Sequence, residues 1–153
     1  LEDNVNPTGT PHPRTPWHLW AVGALGLLWN AYGAMDYFLS KTQGDVYLRS
    51  VWMSQAQIDH FHAMPAWMTA VWAVGVWGAV LGTVLLLFRR RLAAPVFLAS
   101  LLAFVMSLVH AHAIDPLPES NSPAMMGMQA VILAGCLLFA WYAQAQSKSG
   151  VLR

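Results

Sequence analysis

The chain has 153 residues, of which 57% are apolar and only 10% charged, with a net charge of +1 and a mean hydropathy of +0.46. A water-soluble core of this size cannot absorb that apolar excess, so hydrocarbon is the expected solvent for much of the surface. No basic patch is interleaved with aromatics except the run Arg89-Arg90-Arg91, whose place beside a long apolar stretch makes it a membrane-orientation signal and not a nucleic-acid contact. A lone Cys136 excludes an intrachain disulfide framework.

Residues 1–16, with Asn4, Asn6, Gly9, Pro7, Pro11, Pro13 and Pro16, read as an irregular polar lead-in. A bilayer core about 30 Å thick needs roughly 20 helical residues. Four stretches reach that length: 17–38, 65–88, 94–112 and 123–144, followed by a tail over 145–153. In hydrocarbon each must satisfy its backbone internally, and none alternates as barrel strands do, so each is predicted to be a helix.

Span one carries Gly23, Gly26, Asn30, Gly33 and Tyr37 at spacings that place them on one helix stripe, a face suited to other helices. Asn30 falls near mid-membrane, where its amide needs a partner such as Ser100, Ser107 or Gln129. Between spans one and two, Ser54 and Gln57 form a capping-box signature, and Ile58 with Phe61 gives a short apolar stripe. A small surface helix over 55–63 is therefore predicted, with Pro65 opening span two. Span two repeats the small-residue device with Gly75, Gly78 and Gly82, span three answers with Ser100, Ala103, Ser107 and His110, and span four with Gly127, Ala130 and Ala134.

The predicted fold is all-α: an antiparallel, up-down membrane four-helix bundle with a short interfacial helix between spans one and two. Arg14, Arg89, Arg90, Arg91, Lys148 and Arg153 lie on one side, Lys41 and Arg49 on the other. The positive-inside rule then puts both termini in the cytoplasm. Asp36, Asp45, Asp59, Asp115 and Glu119 fall outside, on the periplasmic side of a bacterial inner membrane.

That topology gathers His60, His62, His110 and His112 at the outer boundary, joined by Met64, Met68, Met125, Met126, Met128 and Asp36. Imidazole with thioether suits copper, and imidazole with carboxylate suits zinc. Two His at i and i+2 on a helix point to nearly opposite faces, so neither pair chelates unless its backbone is extended. Trp17, Trp20, Trp141 and Tyr142 at one boundary, and Tyr37, Trp52 and Trp67 at the other, read as interface anchors. Trp29, Trp72 and Trp77 lie deeper, where packing, a lipid or a pigment would meet them. Nothing has the pattern of a nucleophile with its base, a Walker loop or a dinucleotide fingerprint, so the expectation is a non-catalytic protein that requires no cofactor.

Several local patterns carry a likeness: Trp29-Asn30, Gly33-Ala34 and Asp36-Tyr37, then Pro65-Ala66-Trp67, Gly82 with Leu85-Leu86-Leu87 and Arg89-Arg90-Arg91, and Ser100-Leu101. From Trp17 to about Tyr142 the chain resembles a family of small four-span bacterial inner-membrane proteins of unknown function, some loosely labelled sugar transporters. The paired His motifs are not part of that pattern. The expected function is an accessory or scaffold subunit whose partners are lipids and other integral membrane subunits. The alternatives are a periplasm-facing copper or zinc binder and a small-solute transporter acting as an oligomer.

Overall fold

The computed structural model describes residues 14–116 and 121–153. Most of the expected lead-in, residues 1–13, and Glu119 lie outside the described residues. Among the described residues every regular element is helical. The first helix, α1 (Trp17–Thr42), starts after the extended Pro16 and ends at Gln43, with Lys41 in its last turn against the negative end of the helix dipole. Gly44, at φ +55°, turns the chain into α2 (Asp45–Ser50).

Next comes α3 (Gln55–Ala63), whose capping box is complete. The Gln57 N–H donates to Ser54 Oγ at 3.3 Å, and the Ser54 N–H donates to Gln57 Oε1 at 2.9 Å. The long helix α4 (Ala66–Leu87) follows Pro65, and α5 (Ala93–Val109) runs on into a π-helical turn (His110–Ile114). The last helix, α6 (Pro123–Lys148), opens with Ser122 Oγ accepting from the Met125 N–H at 3.3 Å and with Pro123 in its first turn.

Three helices stop in the same way. At the ends of α2, α4 and α6 the N–H groups of Met53, Arg90 and Val151 reach back to the oxygens of Leu48, Leu85 and Gln146, closing Schellman turns. The left-handed position is Gly150 in α6, but Trp52 (φ +67°) in α2 and Arg89 (φ +55°) in α4.

Three helical stretches, Ala66–Leu87, Ala93–Ile114 and Pro123–Lys148, are long and apolar enough to cross a membrane. At 26 residues α1 matches α6 in length, but His18, Asn30, Asp36 and its glycines dilute its apolar character. Large apolar side chains such as Leu25, Leu28, Val74, Leu81, Leu102 and Leu138 are exposed along these helices, a surface that suits lipid and not water.

In the bundle α4 packs between α1 and α5, and α6 packs on α5. The buried apolar core is concentrated at one end, which we term the tail end. Leu19, Leu86, Ala93, Phe97, Ala140, Tyr142 and Ala143 meet there, with Val151 and Leu152 from the segment after α6. Two backbone bonds stitch that segment to the α4–α5 turn: Arg91 N–H to Arg153 O at 2.9 Å and Arg153 N–H to Arg89 O at 2.6 Å. The opposite end carries α2 and α3 as a cap.

Candidate functional site

Small residues set how closely the helices approach. Ser100 Oγ donates to the Gly75 oxygen across α4 and α5 at 2.6 Å, and a Cβ on Gly78 would lie 3.2 Å from that of Ser100. A Cβ on Gly82 would lie 2.9 Å from the Phe97 ring, whereas Gly75 would meet Ala103 at an ordinary 3.7 Å. On α1, a Cβ at Gly23 would collide with Leu87, and one at Gly26 would lie 2.6 Å from Phe139.

Asn30 finds its partners on α4 and not among those expected. Its Nδ2 donates to Thr83 Oγ1 at 2.8 Å and to the Ala79 oxygen at 3.3 Å. Ser107 turns its hydroxyl back to the Ala103 oxygen of its own helix at 3.0 Å, and Gln129 is held by His112 at 2.9 Å. The space between Asn30, Ser100 and Cys136 is about 10 Å³, no more than one water molecule needs.

The contact between α1 and α6 is uneven along its length. Near the tail end, His18 Nδ1 shares a 2.6 Å hydrogen bond with the Tyr142 hydroxyl, Gly26 faces Phe139, and Trp29 Nε1 approaches Gly135. Toward the cap the small residues stand open. A Cβ on Gly33 or Gly127 would meet nothing within 4 Å, and Gly127, Ala130 and Ala134 are exposed. On its other side this half of α6 is separated from α5 by an apolar groove of about 190 Å³, lined by Leu108, His112, Met126, Gln129, Ala130 and Leu133.

At the cap, each histidine has its own partner. His62 pairs with Asp45 at 2.6 Å, His60 lies 3.7 Å from Asp115, and His112 bonds Gln129. His110 is buried edge-on against the Trp67 ring, with centroids 5.3 Å apart. The His110 and His112 rings therefore point to opposite sides, as an i, i+2 spacing requires. Among the described residues no group of three His, Cys, Asp or Glu is placed to hold a metal ion.

The cap is fastened by other means. Lys41 Nζ sits 4.6 Å over the Phe61 ring and 5.6 Å over Trp72, which packs edge-on against Tyr37. The Tyr47 hydroxyl donates to Asp36 at 2.8 Å. Burial, then that hydrogen bond and the Asp36 charge, push its pKa up to about 12. Of the deeper tryptophans, Trp72 belongs to this cluster, while Trp29 and Trp77 remain about half exposed.

The sequence reading missed α2, the π-helical turn and the tucked terminal segment. A signal existed only for the last: Gly150 followed by Val151 and Leu152 has the composition of a Schellman stop with its apolar contact. No protein-family model, curated protein or solved structure matches the chain.

Proposed function

We propose that this chain is an integral membrane accessory subunit that receives a transmembrane helix of a larger complex on the open faces of α1 and α6. The observation that carries this reading is the uneven seam between those helices, closed at the tail end and bare around Gly33 and Gly127. Lipid tails give helices no hydrophobic reason to associate, so exposed small residues are what a partner helix packs on.

In this reading α1 is a fourth span, since 26 residues at 1.5 Å each reach about 39 Å, beyond the roughly 30 Å hydrocarbon core. The excess of basic residues at the tail end puts both termini on the cytoplasmic side of a bacterial inner membrane.

Purification of the full chain in mild detergent is expected to recover an integral membrane partner in stoichiometric amount. Gly33→Leu and Gly127→Leu are expected to release it while the helical content of the chain is unchanged. Recovery of a stable lone monomer would overturn the reading. Labelling of a tag at Arg153 from outside intact cells would overturn the orientation.

A further inference from the structure

The two ends of the bundle treat their charges differently. At the cap, Asp36, Asp45, Asp59 and Asp115 are engaged by Tyr47, His62, Gln55 and His60, while Lys41 lies over aromatic rings and Arg49 bonds Gln55. At the tail end two arginines serve the fold: Arg89 Nη1 donates to Thr15 Oγ1 at 2.7 Å, and Arg91 Nε to the Leu152 oxygen at 3.2 Å. Among the described residues the side chains of Arg14, Arg90, Lys148 and Arg153 hold no hydrogen bond or ion pair, and all four residues are exposed. No Asp or Glu side chain among the described residues lies at that end.

The adjoining helix turns expose Trp17, Trp20, Phe88, Leu92 and Trp141. A ring of unpaired cations beside exposed aromatic and aliphatic side chains demands a ligand with an anionic group and a hydrocarbon part. A free phosphate would satisfy only the cations.

We propose that the tail-end rim is a binding surface for acidic phospholipid, with Arg14, Arg90, Lys148 and Arg153 taking the headgroup phosphates and Trp17, Phe88 and Trp141 lying along the glycerol and upper acyl chains. Guanidinium groups grip phosphate oxygens in pairs, and the backbone bonds joining Arg89, Arg91 and Arg153 hold the rim in one arrangement before lipid arrives. The proposal rests on the membrane-embedded reading given above.

The test is native mass spectrometry of the full chain in non-ionic detergent, with equimolar phosphatidylglycerol and phosphatidylcholine of matched acyl chains. A parallel detergent phase separation reports membrane character. The wild-type chain is expected in the detergent phase, retaining phosphatidylglycerol at least about tenfold over phosphatidylcholine. Each cation near a lipid surface contributes roughly fivefold, so the triple variant R14Q/R90Q/K148Q, which keeps only Arg153 of the four, should cut the preference to about fivefold or less. The charge-keeping R14K/R90K/K148R should retain the preference.

Equal retention by the wild-type chain, or an undiminished preference in the glutamine variant, would overturn the proposal. So would displacement of the lipid by millimolar inorganic phosphate, which would mark a free-phosphate site. Recovery in the aqueous phase would overturn the membrane reading together with this one, whereas a detergent-phase chain without lipid preference overturns this one alone.

Discussion

Asn30 and Thr83 join α1 to α4 through an amide that donates to a hydroxyl at 2.8 Å, and the hydroxyl in turn donates to the Ala79 oxygen at 2.9 Å. Thr83 is fully buried, so its hydroxyl has no water as an alternative partner. Asn30→Leu and Thr83→Val are each expected to destabilise the bundle, and a double-mutant cycle should give a coupling of about 0.6 kcal/mol, the usual size for such bonds between membrane helices. Unfolding in mixed micelles measures it; a coupling of zero would show that the two groups act independently.

Two glycines should respond to the same substitution with opposite signs. Gly82→Ala forces a Cβ against the ring of Phe97, which is itself stacked on Phe139 at 5.6 Å and cannot yield freely. Overpacking of this kind costs about 1–3 kcal/mol. Gly33→Ala meets open space and gains helix propensity, a stabilisation of about 0.5–1 kcal/mol. The same unfolding assay compares them.

Trp52 holds a left-handed backbone at φ +67° while its side chain is 94% exposed. Trp52→Gly removes the backbone strain and little packing, so the isolated chain in detergent is expected to gain about 0.5–1 kcal/mol. A loss of stability would mean that the indole packs against this chain or the detergent by more than the backbone strain costs.

The raised pKa of Tyr47 fixes a pH window. Because the folded state favours the neutral phenol, its contribution is complete below the ordinary value of 10.0 and is lost as pH rises through about 12. Absorbance titration near 295 nm should show a late tyrosine step near pH 12, and Asp36→Asn should bring that step down. An unchanged titration in the variant would contradict the part assigned to the Asp36 charge.

The four cap histidines are divided among Asp115, Asp45, Trp67 and Gln129. The purified chain is accordingly expected to carry substoichiometric copper and zinc by elemental analysis after gentle handling. One ion per chain, lost on His60→Ala or His112→Ala, would require the cap to rearrange around it.

What could be read in advance was local. The capping box of α3 lies within four consecutive residues, so Ser54 and Gln57 announce it without reference to the rest of the chain. The opposed directions of His110 and His112 follow from helix geometry alone. The partners do not: Asp45 and Asp115 reach their histidines from other segments, and helix periodicity says nothing about which segments meet. Thr83 was hidden for the same reason, as one hydroxyl in a run of aliphatic residues, while Ser100, Ser107 and Gln129 spend their polar groups elsewhere. The stops at Trp52 and Arg89 depart from the residue type that left-handed positions favour, so composition could not mark them.

Leu152, fully buried beside Leu19, Leu86 and Ala143, ties the end of the chain to α1, α4 and α6 at a single point. A guest helix prising α1 and α6 apart near the cap would pivot them about this point, and the buried interior would stay intact while they moved. On the proposed reading, accommodation would thus draw on displaced lipid and leave the tail-end core in place.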